Sequence, residues 1–282
     1  KLPVALRRVG ADVVHASAVP PGHATTAATT GRFLRTPVVV DWWDTDDDLG
    51  SPGRYRKAAR RPTRVTVPSE TVRTAVREHG ADGDAVSVVP ESVDYDLIRS
   101  AGVDERTDLV YVRDHIDRHA NVEGFLLALA ELRDRDWRAA VIGDGPARPA
   151  AERAAADLRI DDRVSFLGRL PPAEFVPILK GAHVCAQTAT HEPFASGLLW
   201  ALASGCVGIV QYQAGSSAHE LVENADRGRR VTDPQELADE ILGCRSVAHR
   251  TVNESFVDFD RAAVLDAFLD VYETAVSEFG LF

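Results

Sequence analysis

Residues 191–205 read HEPFASGLLWALASG, with a carboxylate, Glu192, a few positions ahead of an apolar stretch of helical length. Ala195, Ser196 and Gly197 would leave the first-turn amides of such a helix uncovered. Free N–H groups and the helix dipole together favour phosphate. Glu192 would then stand beside the phosphates and accept hydrogen bonds from hydroxyls of the kind a sugar presents. The plainer reading is a charge that caps the helix.

Two other stretches could line the same ligand. VIGDGP closes an apolar run with Gly143 and Gly145 around Asp144, where glycine permits a close backbone approach or a tight turn. RVSFLGRLP closes another at Gly168, followed by Arg169 and Leu170, which could form the wall and floor of a base pocket. The run DWWDTDDD sets Asp44, Asp46, Asp47 and Asp48 close together. A solvated acidic loop accounts for them more simply than a metal site, so no metal is expected. Cys185, Cys206 and Cys244 lack the spacing of a zinc site or a disulfide framework and read as buried thiols.

Short β-branched runs bounded by turn residues must position these groups: DVVHA (12–16), PVVVD (37–41), RVTVP (64–68), VSVVP (86–90), DLVYV (108–112), RAAVIG (138–143), RVSFLG (163–168), AHVCAQ (182–187) and VGIVQY (207–212). Stretches with helical periodicity lie between most of them. Continuous apolar strands alternating with helices predict α/β domains with doubly wound parallel sheets, whose sites lie past the carboxyl ends of the strands. The polar, turn-rich segment 91–108 reads as an interdomain connection. We therefore expect domains at 1–107 and 108–257, with a covering helix over 258–282.

At 282 residues and 45% hydrophobic, the chain can bury a full core. Its net charge of -11 argues against a general affinity for nucleic acid. No apolar run reaches the ~20 residues that cross a bilayer. No signal segment opens the chain, so a cytoplasmic protein is expected. Lysine occurs only at 1, 57 and 180 while arginine is plentiful. That balance resembles proteins of salt-loving archaea, a GC-rich genome being the alternative. With Lys1 first and no methionine, the chain is expected to lack an N-terminal segment.

The order VIGDGP, DRVSFLG, HEPFASGLLWALASG, GSSAHELV resembles the donor-binding half of the retaining glycosyltransferases of family 4. ADVVHAS, TPVVVDWWD, VTVPSE and VSVVPESVD resemble the half that precedes it. The resemblance runs from about residue 11 to the end and implies the GT-B architecture, two Rossmann-like domains facing across a cleft. It implies a nucleotide-sugar donor, no cofactor, and transfer to a glycan, lipid or small-molecule acceptor with retention at the anomeric carbon. Glu192 corresponds to the first of the family's paired glutamates, which contacts sugar hydroxyls. Phe194, Ala195, Ser196, Gly197 and Leu198 would offer amides to sugar and diphosphate, with Gly143, Arg169 and Leu170 near the nucleotide. Glu220 would fall at the rim of the same cleft or cap the next helix.

Departures from the family's pattern are equally specific. Trp200 stands where the second glutamate would hold ribose hydroxyls. His115 and Ala120 stand where an Arg and a Lys would neutralise the diphosphate, with Arg113 and Arg118 close enough in sequence to substitute. Trp43 replaces a histidine of the first half, and His15 and His23 would border the acceptor side. A relative that binds nucleotide or glycan, or regulates a partner, without turnover is the alternative these changes motivate. Association with a membrane is compatible with a lipid acceptor, but no basic amphipathic stretch supports it.

Overall fold

The computed structural model describes residues 2–43 and 52–279. Its contacts divide the chain into two units, Lys1–Glu91 with Ala262–Phe282, and Ser92–Arg261. In the first unit α1 (Leu2–Val9) precedes β1 (Val14–Ser17), α2 (Pro21–Leu34), β2 (Val38–Asp41), α3 (Pro52–Arg60), β3 (Arg64–Val67), α4 (Glu70–Glu78) and β4 (Val86–Val88). The four strands are parallel and lie in chain order, β1-β2-β3-β4. Val38, Val40, Val65 and Val67 pack with Ala24, Ala27, Tyr55 and Val72 of the helices on one face. Alternate residues such as Val39 meet the last helix of the chain on the other. This two-sided burial explains why these strands read as unbroken apolar runs.

The second unit holds α5 (Tyr95–Ser100), β5 (Leu109–His115), α6 (Val122–Glu131), β6 (Ala139–Asp144), α7 (Arg148–Asp157), β7 (Val164–Gly168), α8 (Pro172–Gly181) and β8 (Val184–Gln187). β9 (His191–Glu192), α9 (Ser196–Ala203), β10 (Val207–Gln211), β11 (Gly215–Ser216), β12 (Gly228–Val231) and α10 (Pro234–Gly243) follow. The main sheet is parallel in the order β12-β10-β8-β5-β6-β7. That is the doubly wound order of a dinucleotide-binding fold, and its winding reverses between β5 and β8. The core packs Tyr111, Val141, Ala186 and Ile209 of the strands against Phe125, Leu126 and Leu129 of α6.

All nine runs expected as strands are strands, and Cys185, Cys206 and Cys244 are buried and unpaired. The division of the chain differs from the expected one. Residues 92–107 join the second unit because Tyr95, 1% exposed, donates its hydroxyl to Asn253 O at 2.6 Å. Lys180, 4% exposed, donates to Ile98 O at 2.8 Å, which ties the end of α5 to α8. The last helix, α11 (Arg261–Phe279), returns to the first unit. There Val264, Val271 and Ala275 pack with Val39 and Val89, and Glu278 accepts from Arg64 Nε at 3.0 Å.

Candidate functional site

In a doubly wound sheet the ligand crevice lies outside the carboxyl ends of the strands where the winding reverses. In the second unit those ends belong to β5 and β8. β5 closes on Arg113, Asp114 and His115, with an irregular register against β6 between Val112 and His115. β8 runs out at Gln187 and the chain continues into β9, which carries Glu192. β9 pairs with β11, Glu192 opposite Ser216, and Ser217 Oγ donates to Pro193 O at 2.8 Å. The turn after β11 thus fixes the backbone on which Glu192 sits.

Glu192 is joined to β5. Its Oε2 accepts from Arg113 Nε at 2.6 Å, with side chains 13% and 12% exposed. The same guanidinium donates through Nη1 to Asp117 Oδ1 at 2.7 Å and to the His115 carbonyl, and through Nη2 to His191 O at 3.3 Å. Burial works against the charge on Arg113, but the Glu192 carboxylate outweighs it and leaves the guanidinium pKa above its ordinary value. Burial would raise the Asp117 carboxyl, yet the hydrogen bond from Arg113 prevails and holds it below the usual range. A carboxylate gripped in this way is fixed in position at the head of α9.

α9 begins at Ser196 with Ala195, whose side chain carries no hydrogen-bonding group, as its N-cap. A helix of this kind leaves its first-turn amides without intrahelical partners. Gly197 is required by packing, since a Cβ there would stand 2.2 Å from Val112 O. Phe194, Ala195 and Leu198 are buried, and Phe194 packs against Phe259 with ring centroids 6.5 Å apart. Their side chains belong to the core, so any contact with a ligand falls to their backbone.

Around this centre the other expected residues are spread unevenly. Gly143 has φ +136°, and a Cβ on it would lie 1.8 Å from Arg113 O. Its role in the fold is to let β6 close onto β5. Arg169 is exposed beside the end of β5, with Nε 3.0 Å from Asp114 Oδ1 and Nη2 3.4 Å from His115 Nδ1. Leu170 is half-buried next to it. Arg118 Nε donates to His119 Nε2 at 2.9 Å. Arg113 is fully engaged with protein groups. Ala120 is fully buried and its carbonyl accepts from Tyr111 Oη at 2.6 Å, so its side chain meets no ligand. Trp200 lies edge-on to Phe175 of α8, ring centroids 5.4 Å apart. Glu220 is half-buried in the turn Ser217–Leu221.

The acceptor-side candidates belong to the first unit. His15 Nδ1 lies 2.6 Å from Tyr272 Oη of α11. Burial, and then the Asp41 charge, raise the pKa of that tyrosine above its ordinary value. Trp43 Nε1 donates to Asp41 Oδ2 at 2.6 Å, and Thr66 donates to the other oxygen at 2.8 Å. His23 is exposed in the first turn of α2. Asp44, Asp46, Asp47 and Asp48 lie outside the described residues. Sequence reasoning missed Asp117, His191 and Tyr272. Tyr272 gives no local signal, being one apolar position of a periodic helix.

Residues 106–246, half of the chain, match the family described as Glycosyl transferases group 1. The chain belongs to the group 1 glycosyl transferases. Residues 2–91 of this group 1 glycosyl transferase match a Glycosyl transferase 4-like domain. It is 31% identical over 165 residues to 2-deoxystreptamine glucosyltransferase of Streptomyces kanamyceticus, covering 53% of this chain and 43% of that protein. It is 26% identical over 260 residues to D-inositol 3-phosphate glycosyltransferase of Nocardia farcinica, covering 80% of this chain and 56% of that protein. The chain therefore spans about half the length of the curated relatives it matches.

Among solved structures, Anabaena HepE in complex with UDP superposes with a TM-score of 0.80 at 19% identity, over 98% of this chain and 81% of that one. Sucrose-phosphate synthase of Thermosynechococcus elongatus gives 0.78 at 15% identity, over 98% and 77%. The group 1 glycosyl transferase fold here is of the GT-B type, with two Rossmann-like domains. Among the described residues no helix is long and apolar enough to cross a membrane.

Proposed function

We propose that the chain transfers a sugar from a nucleotide-sugar donor to an acceptor hydroxyl, with retention at the anomeric carbon. The observation that carries this reading is Glu192, fixed by Arg113 at the winding reversal of the second unit and a few residues ahead of the start of α9. Membership of the group 1 family supports it, as does the UDP held by the similar HepE structure. In this reading α9 amides face the diphosphate, Glu192 accepts from sugar hydroxyls, and exposed Arg169 lies towards the nucleotide.

The reaction needs no pair of carboxylates of the glycosidase kind. The bond from the anomeric carbon to the diphosphate breaks while the acceptor oxygen bonds on the same face. The acceptor proton passes to a departing phosphate oxygen. Positive charge developing on the sugar is stabilised by the phosphates, whose own charge is met by helix amides and neighbouring cations. His15, held by Tyr272, and Trp43, held by Asp41, are the acceptor-side contacts we assign to the first unit.

Incubation with UDP-, GDP- and ADP-sugars tests the proposal through nucleotide release in the presence of candidate glycan, lipid and small-molecule acceptors, with NMR reading the anomeric configuration of any product. Retained configuration with one donor supports it. Tight binding of a nucleotide without release in any combination would instead support a relative that binds without turnover.

A further inference from the structure

The amino ends of the strands in the first unit carry a second feature of chemical interest. Two contiguous cavities, of about 660 and about 330 Å³, share Ala28, Arg32 and Arg61 in their walls. Arg35 joins the larger and Arg60 the smaller. The other polar lining groups are hydroxyls, Thr36 and Thr63 in one and Thr29 in the other. Among the described residues no carboxylate lines either cavity, in a chain with 43 acidic residues and a net charge of -11.

Topology assembles these four guanidiniums from separate segments. In a parallel α/β sheet each helix ends where the next strand begins, so the last turn of α2, the turn into β2, the end of α3 and the turn into β3 collect at one end. Arg32, Arg35, Arg60 and Arg61 sit on those four pieces. Among the described residues Arg32, Arg35 and Arg60 have no ion-pair partner, and Arg61 Nη1 donates to Thr29 Oγ1 at 3.3 Å.

Complementing helix dipoles accounts for Arg32 and Arg60, each in the last turn of its helix, but does not require a side chain at Arg35. Arg35 occupies the C-cap of α2 with φ 56° and ψ 45°, a left-handed conformation that glycine or asparagine adopts more readily. In that conformation Arg35 sets a guanidinium on the groove wall, which glycine would not supply. Four like charges without an ion-pair partner among the described residues also repel one another until an anion joins them.

We propose that this groove binds a phosphate group, carried by a soluble phosphate compound or by an anionic lipid headgroup. Guanidinium forks match pairs of phosphate oxygens, and the threonine hydroxyls add single donors. Phe33, 82% exposed and next to Arg32, would give a lipid-borne phosphate an apolar contact that a soluble one lacks. The groove is built from residues of the first unit and the Glu192 site from residues of the second, and this inference does not depend on the transferase reading.

The test uses the whole chain at low ionic strength, with calorimetry for inorganic pyrophosphate and co-sedimentation for vesicles of phosphatidylcholine with one quarter phosphatidylglycerol. The variant is Arg35→Asn with Arg61→Gln, asparagine being compatible with the left-handed backbone. Pyrophosphate affinity at least tenfold weaker in the variant supports the site with a soluble source. Vesicle binding that the variant loses, without a pyrophosphate effect, supports it with a headgroup source. Binding to neither probe, or binding the variant leaves within twofold, overturns the proposal, because a diphosphate held at α9 would be indifferent to these changes. Should that variant melt early, the exposed pair Arg32→Gln and Arg60→Gln replaces it with the same outcomes.

Discussion

Arg113 Nε stands 2.6 Å from Glu192 Oε2 and joins the end of β5 to the strand ahead of α9 across 79 positions of sequence. Both side chains are close to buried, at 12% and 13% exposure. Removing one partner of such a pair leaves a charge without compensation. Arg113→Met is therefore expected to destabilise the chain by about 3 kcal/mol, the lower end of the range for buried pairs. A double-mutant cycle with Glu192→Gln should show a coupling of ~1–3 kcal/mol in denaturant unfolding. Additive effects would show that the contact is not formed in solution.

Asp117 shares the same guanidinium, and its pKa lies below the ordinary 3.8. A carboxyl depressed in the folded state stabilises fully above its unfolded value and loses that contribution as pH falls through the folded one. The stability gap between the native chain and Asp117→Asn should therefore be constant at neutral pH and shrink below about pH 3.8. A gap that instead closes as pH rises would contradict the sign.

Two glycines separate packing from local preference. Gly197→Ala would drive a Cβ to 2.2 Å from Val112 O, and displacing α9 from β5 is expected to cost about 3 kcal/mol. Gly22→Ala, in the first turn of α2 with nothing within 4 Å, should stabilise by about 0.5 kcal/mol. Thermal melts of both variants distinguish the two sites.

A net charge of -11 with 43 acidic residues makes self-repulsion a destabilising term that salt screens. Raising KCl from 0.1 to 2 M should increase the melting temperature by several degrees. An unchanged or lower value would detach the composition from salt tolerance and leave base composition of the genome as its cause.

Much of the fold is legible because a strand buried on both faces must be apolar throughout. PVVVD, DLVYV and VGIVQY could be read without neighbours for that reason. β12, GRRV, escaped notice because it is an edge strand whose two arginines reach solvent, which breaks the apolar run. The unit boundary was misplaced because a polar, turn-rich sequence does not reveal that Tyr95 and Lys180 bind 92–101 to the second unit. Within the site, Glu192 and the head of α9 form one continuous motif and could be recognised together. Arg113 meets Glu192 from 79 positions away and Asp117 meets the same guanidinium, an association that no local pattern encodes. Trp200 shows the same limit, since the partner that accounts for its ring, Phe175, lies on another helix.

The most direct test of the donor site compares a nucleotide with its sugar derivative in native chain and in Glu192→Gln, by calorimetry with UDP and UDP-glucose, then the GDP and ADP pairs. Because Glu192 is assigned to the sugar and not to the nucleotide, the variant should bind the nucleotide within about twofold of native. It should lose most of the additional affinity, on the order of tenfold, that the sugar confers through charge-assisted hydrogen bonds. Equal losses for nucleotide and nucleotide-sugar, or no loss for either, would contradict the assignment of Glu192 to the sugar.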